Sequence, residues 1–107
     1  MAMVKHVNEQ EFQELIQGDK TVFCDFWASW CGPCRMLAPV FESIAERYDG
    51  KAEFVKINVD EETSLAVRYG ISSIPNVLAI KKGKVLGNSL GFVPAASLAM
   101  FVEKYTD

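Results

Sequence analysis

Two hydrophobic periods take turns along this chain, and each change of period marks an element. Asn8 with Glu11 three residues on has the form of a capping box, and Phe12, Leu15 and Ile16 then share one helical face, which predicts a short helix ending near Gly18. Thr21 to Trp27 is a nearly continuous apolar run, rich in β-branched and aromatic residues, and predicts a strand buried on both faces. Helical spacing returns with Leu37, Val40, Phe41, Ile44, Ala45 and Tyr48, while Glu42, Glu46 and Arg47 take the opposite side and Pro39 predicts a kink. Phe54 to Val59 reads as a second strand, and Thr63 to Tyr69 as a short helix stopped by Gly70. Asn76 to Ile80 and Val85 to Leu90 flank Lys81-Lys82-Gly83-Lys84, the pattern of a hairpin with glycine in its turn. Pro94 then opens a last helix carrying Leu98, Phe101, Val102 and Tyr105 on one face.

With Met3 to His6 as a short edge strand, the expected order is βαβαβαββα. A helix between two strands implies a parallel crossover, and a closing hairpin adds antiparallel strands. The expectation is an α/β fold with a central mixed β-sheet flanked by helices on both faces. At 107 residues, half of them hydrophobic, the chain suffices for one substantial core, so residues 1–107 are expected to form a single domain.

Composition narrows the function classes. A net charge of −3, from 11 basic against 14 acidic side chains, offers no electrostatic footprint for nucleic acid. No apolar run approaches membrane-spanning length, and the N-terminal residues turn polar at Asn8, unlike a signal peptide. The expectations are no nucleic acid, no membrane, a cytoplasmic location and a monomer. Cytoplasmic thiols stay mostly reduced, where a paired-cysteine motif serves catalysis rather than architecture.

That motif is Trp30-Cys31-Gly32-Pro33-Cys34, at the junction of the apolar strand and the long helix. Cysteines three apart at a helix start lie on one face, and a small adjustment brings their Cβ atoms to disulfide distance. Cys31 would sit at the helix N-terminus, where unpaired N–H groups and the helix dipole favour a thiolate, which makes it the expected nucleophile. Cys34, one turn further in, is the expected resolving thiol. Pro33 suits the first helical turn, and Gly32 leaves the sulfur open to a bulky partner. Two other readings stand beside this one. A zinc site would need four ligands, and only Cys24 and His6 remain without a second paired motif; a structural disulfide of so small a loop gains little from chain entropy. Neither a metal nor a tightly bound cofactor is expected. Asp25, an acid in the middle of the apolar strand, is costly to bury ionised, so burial should raise its pKa. Cys24 fits a small core hydrophobe.

Across nearly its whole length the chain resembles the thioredoxin family. The matching segments are Asp25-Phe26-Trp27-Ala28-Ser29-Trp30-Cys31-Gly32-Pro33-Cys34-Arg35-Met36, Ala38-Pro39, Lys56-Ile57-Asn58-Val59-Asp60, Tyr69-Gly70-Ile71, Ile74-Pro75 and Gly91. The resemblance implies the thioredoxin fold and a protein-disulfide reductase acting on disulfide-bearing proteins, itself recharged by a separate thioredoxin reductase. It implies that Asp25 lies beneath the dithiol as proton acceptor for Cys34 and that Lys56 pairs with that acid. The residue pattern alone leaves Lys56 open, since Phe54, Lys56 and Asn58 alternate with Val55, Ile57 and Val59 as in a half-exposed strand. The resemblance also implies that Ile74-Pro75 is a cis-proline loop facing the dithiol, and that Trp30, Ile74, Gly91 and Phe92 form an apolar docking surface. Trp27 is expected to pack under the active site. Asn76 stands where threonine is common in the family, and Ser72-Ser73 and Leu90-Gly91-Phe92 also depart from the commonest loops, which bears on partner preference.

Two rival functions use the same features. One is an oxidase or isomerase in an oxidising compartment; the other is a binding subunit whose thiols are incidental.

Overall fold

The apolar run becomes β2 (Val22–Trp27), and the rest of the molecule is arranged around it. The structure, a computed structural model, describes residues 4–106. Before β2 come β1 (Val4–His6) and α1 (Glu9–Leu15); after it come α2 (Gly32–Arg47), β3 (Glu53–Asn58), α3 (Thr63–Arg68), β4 (Asn76–Lys81), β5 (Lys84–Leu90) and α4 (Ala95–Tyr105). This is the expected βαβαβαββα order, with strand ends moved by a residue or two. Met3, expected in the first strand, lies outside the described residues.

The five strands form one sheet in the order β1-β3-β2-β4-β5. β3 runs parallel to both β1 and β2, whereas β4 is antiparallel to β2 and to β5. β2 is therefore the middle strand. Its side chains alternate between two covered faces, so hardly any of it meets water.

One face carries α2 and α4. Phe23, Phe54, Val77 and Ala79 from the sheet pack there with Leu37, Phe41 and Ile44 of α2 and Leu98 and Val102 of α4. Phe23 stacks on Phe54 at 5.3 Å, and Phe41 meets Phe54 edge-on at 5.7 Å, an arrangement in which burial of each ring contributes about 1.5–3 kcal/mol. The other face carries α1 and α3, with Val22, Cys24, Phe26, Val55, Ile57, Leu78 and Ile80 against Phe12, Ile16 and Leu65.

Local chemistry sets the ends of the elements. Asn8 and Glu11 exchange side-chain and backbone bonds of 2.9 Å each, completing the capping box before α1. Helix α2 continues through the exposed Pro39 to Arg47. Gly70, just past α3, has φ +66°, a conformation that stops a helix and that glycine adopts without strain. The β4–β5 turn places Lys82 at φ 51° and Gly83 at φ 78°, the paired positive values of a two-residue hairpin loop that matches strand twist.

Candidate active site

Helix α2 begins at the dithiol. Cys31 is its N-cap, with extended backbone, and its sulfur accepts the Cys34 N–H at 3.2 Å. The two cysteines are joined in a disulfide with Cα atoms 5.3 Å apart. Cys31 is 5% exposed and Cys34 1%, so the sulfur nearer the helix start is also the one nearer solvent. On reduction, the Cys34 N–H and the positive end of α2 both face the Cys31 sulfur, and both stabilise a thiolate there. Pro33 occupies the first turn, where its missing N–H leaves no bond unmade. A side chain at Gly32 would meet only the Arg35 guanidinium at 4.0 Å, so the approach to Cys31 over this residue is open.

A second loop closes on the same sulfur. The Ile74–Pro75 peptide bond is cis, and the Ile74 carbonyl oxygen lies 3.9 Å from Cys31 Sγ. The Gly91 N–H donates to the Pro75 carbonyl at 2.7 Å, and Gly91 has φ +82°. Ile74, Trp27 and Val59 pack against the cluster of Ala28, Cys31 and Cys34.

Strand parity places Asp25 on the face that carries α2. It lies between Phe23, in the core with Leu37 and Phe41, and Trp27, against the dithiol cluster. Asp25 is fully buried, and neither carboxylate oxygen has a hydrogen-bond partner among the described residues. Burial pushes its pKa up to about 7, against an opposing pull from Lys56. Lys56 stands opposite Asp25 in the β2–β3 register, is 7% exposed, and holds its ammonium 4.6 Å from the centre of the Trp27 ring. The half-exposed strand that the alternation allowed is thus not what forms: α2 and α4 cover the face on which Lys56 lies.

Trp30 projects into solvent at 68% exposure, and its indole N–H donates to Asp60 Oδ2 at 2.9 Å. Phe92 and Leu90 are also exposed on the Gly91 side. Asp60 follows β3 in a turn, and no periodicity singles it out; only a contact across the fold reveals it. Arg35 donates to the Ser29 carbonyl, six residues earlier, at 2.9 Å and braces the loop before Cys31. Cys24 belongs to the opposite face, fully buried with its thiol directed to the Val22 carbonyl, and burial pushes its pKa far up. A groove of about 560 Å³ lies between β1 and α1, lined by Lys5, His6, Val7, Glu11, Glu14 and Leu15 and by none of the dithiol-site residues.

Similarity to known proteins agrees with this site. The thioredoxin family model matches residues 3–104. The chain is 48% identical over 98 residues to thioredoxin of Chlorobaculum thiosulfatiphilum, an alignment covering 91% of each chain. It belongs to the thioredoxin family. Thioredoxin of Haemophilus influenzae is 39% identical over 106 residues, covering 98% of this chain and 99% of that one. The chloroplastic M-type thioredoxin of Pisum sativum is 48% identical over 103 residues, covering 95% of this chain and 60% of that one. A solved thioredoxin structure from Malassezia sympodialis superposes with a TM-score of 0.91 at 33% identity, over 98% of this chain and 92% of that one. The fold is the thioredoxin fold, and the chain is a thiol-disulfide oxidoreductase whose redox pair is Cys31–Cys34. The rival reading as a binding subunit with incidental thiols is not favoured.

Proposed function

We propose that this oxidoreductase works as a single-domain, monomeric, cytoplasmic protein-disulfide reductase. The Cys31 thiolate attacks one sulfur of a client disulfide, forming a Cys31–client mixed disulfide, and the other client sulfur leaves as a thiolate that takes a proton. Cys34, deprotonated by Asp25, then attacks Cys31 Sγ. That step breaks the mixed disulfide, forms Cys31–Cys34 and releases the second client thiol. Two electrons pass to the client, and a thioredoxin reductase returns them to the Cys31–Cys34 pair. Lys56 moderates the acidity of Asp25 in this cycle. Trp30, Gly32, Pro33, Ile74, Pro75 and Gly91 form the surface against which the client docks.

The observation that carries this reading is the Cys34 N–H bond of 3.2 Å to Cys31 Sγ at the start of α2, because it favours negative charge on one sulfur and not on the other. Asp25 supports it from below: a buried carboxylate with a pKa of about 7 is suited to accepting a proton near neutral pH.

Trapping tests the assignment. Cys34→Ser is expected to accumulate mixed disulfides with client proteins that dithiothreitol releases, and Cys31→Ser to lose turnover of a disulfide-bonded protein. Turnover by Cys31→Ser equal to the parent would overturn it. A reduction potential measured against glutathione checks the direction, since a value well above the cytosolic poise would make the chain an oxidant.

A further inference from the structure

Three ionisable residues stand in one row across three strands. His6 of β1 is the register partner of Lys56 on β3, and Lys56 is in turn the partner of Asp25 on β2. Register partners project from the same side of a sheet, so all three belong to the face that carries α2. Burial deepens along the row: His6 is exposed on the edge strand, Lys56 is 7% exposed and Asp25 is fully buried. The proposed chemistry uses the inner two members and leaves the outer one without a role.

Trp27 ties the row together. The His6 ring meets the Trp27 indole edge to face with centroids 5.8 Å apart, and the Lys56 ammonium lies 4.6 Å from the centre of that same indole. Trp27 Nε1 is buried and has no hydrogen-bond partner among the described residues. Packing and these ring contacts, with no polar anchor, therefore set the orientation of the indole. Trp27 also packs against the cluster of Ala28, Cys31 and Cys34, so contact runs unbroken from the edge strand to the dithiol. The charged groups about His6 are Lys56 on β3 in its own row, Lys5 beside it on β1, and Glu11 and Glu14 across the groove that β1 makes with α1.

We propose that His6 is a positioning residue for the disulfide exchange: its ring holds the Trp27 indole, the indole holds the Lys56 ammonium inside the molecule opposite Asp25, and the proton-accepting step is tuned from the edge strand. The inference rests on Asp25 as acceptor of the Cys34 proton. Without the His6 ring, the indole loses one of its two ring contacts and water reaches the row from the edge. The Lys56 ammonium then turns outward to be hydrated and withdraws its charge from Asp25. Ionisation of Asp25 moves to higher pH, because that charge is what draws its pKa down against burial.

The test follows the pH profile for resolution of the mixed disulfide by stopped flow. His6→Ala is expected to shift the profile toward higher pH, with a loss of roughly twofold to fivefold near neutrality, the worth of one exposed ring contact. His6→Phe, which keeps a ring and carries no titrating proton, is expected to restore the parent profile. In a Lys56→Met background His6→Ala is expected to add nothing, since it acts through the ammonium. An unmoved profile in His6→Ala, a His6→Phe profile displaced as far as that of His6→Ala, or a further shift of the same size in the Lys56→Met background would overturn the role. Failure of the Asp25 assignment looks different, as Asp25→Asn would then keep the parent profile.

Discussion

Asp25 and Lys56 stand directly opposite one another on β2 and β3, both inside the molecule, with the Lys56 ammonium against the Trp27 ring. Burial raises the pKa of the Asp25 carboxyl, and its position on the α2 face connects the sheet to the chemistry of the dithiol.

The contribution of Asp25 to stability should therefore fall as pH rises. Between 3.8, the ordinary carboxyl value, and about 7, folded Asp25 keeps a proton that the unfolded chain releases, so the native state loses ground through that window and stays lower above it. Asp25→Asn removes this loss. It is expected to be more stable than the parent at pH 8 by up to about 4 kcal/mol and nearly equal to it at pH 4. Urea unfolding of the oxidised forms at both pH values measures the difference; one that is the same at both would contradict the assignment.

Lys56→Met removes the nearby positive charge that draws the Asp25 pKa down. Ionisation of Asp25 should then move to higher pH. The pH profile for resolution of the mixed disulfide should shift the same way, with a severalfold loss near neutrality that recovers in alkali. Stopped-flow kinetics across the pH range would show whether the profile moves.

Cys24 should be silent in the folded protein. It is fully buried on the sheet face opposite Asp25, and its raised pKa keeps it as a thiol. After gentle reduction, iodoacetamide is expected to label Cys31 and to leave Cys24 unmodified until denaturant is added. Mass spectrometry of peptides from native and unfolded samples counts the difference, and native labelling of Cys24 would refute its placement.

Gly87→Ala should destabilise the fold. A Cβ at Gly87 would lie 2.5 Å from the Tyr105 hydroxyl and 2.8 Å from its ring. Tyr105 is held in place by an edge contact with Phe101 at 5.3 Å, and its carbonyl accepts the Thr21 hydroxyl at 2.6 Å. Overpacking of this kind costs about 1–3 kcal/mol. Thermal melts of the two proteins check it, and an unchanged midpoint would show that the ring moves aside freely.

The parts of the fold legible in the sequence are those that depend on near neighbours. The Asn8–Glu11 cap, the doubly buried strand around Asp25 and the Lys82-Gly83 turn each need only a few adjacent residues, and all three form as their spacing predicts. Lys56 was less legible. Alternation along β3 reads the same whether the lysine face meets water or a helix, and only the packing of α2 and α4 settles which. Asp60 lies in a segment that resembles the family, but its bond to Trp30, like that of Asn88 to Asn76, joins residues distant in the chain and is written in no local pattern.

By itself the sequence determined the order of elements and the seat of the dithiol at the start of a helix, since hydrophobic period, capping and the cysteine spacing are local properties of the chain. Tertiary structure alone decided the strand order β1-β3-β2-β4-β5. That order brings Ile74 to Cys31 across 43 residues and sets Lys56 against Asp25. The physical reason is that strand neighbours are selected by the burial of whole faces, a collective property that no short window of residues contains.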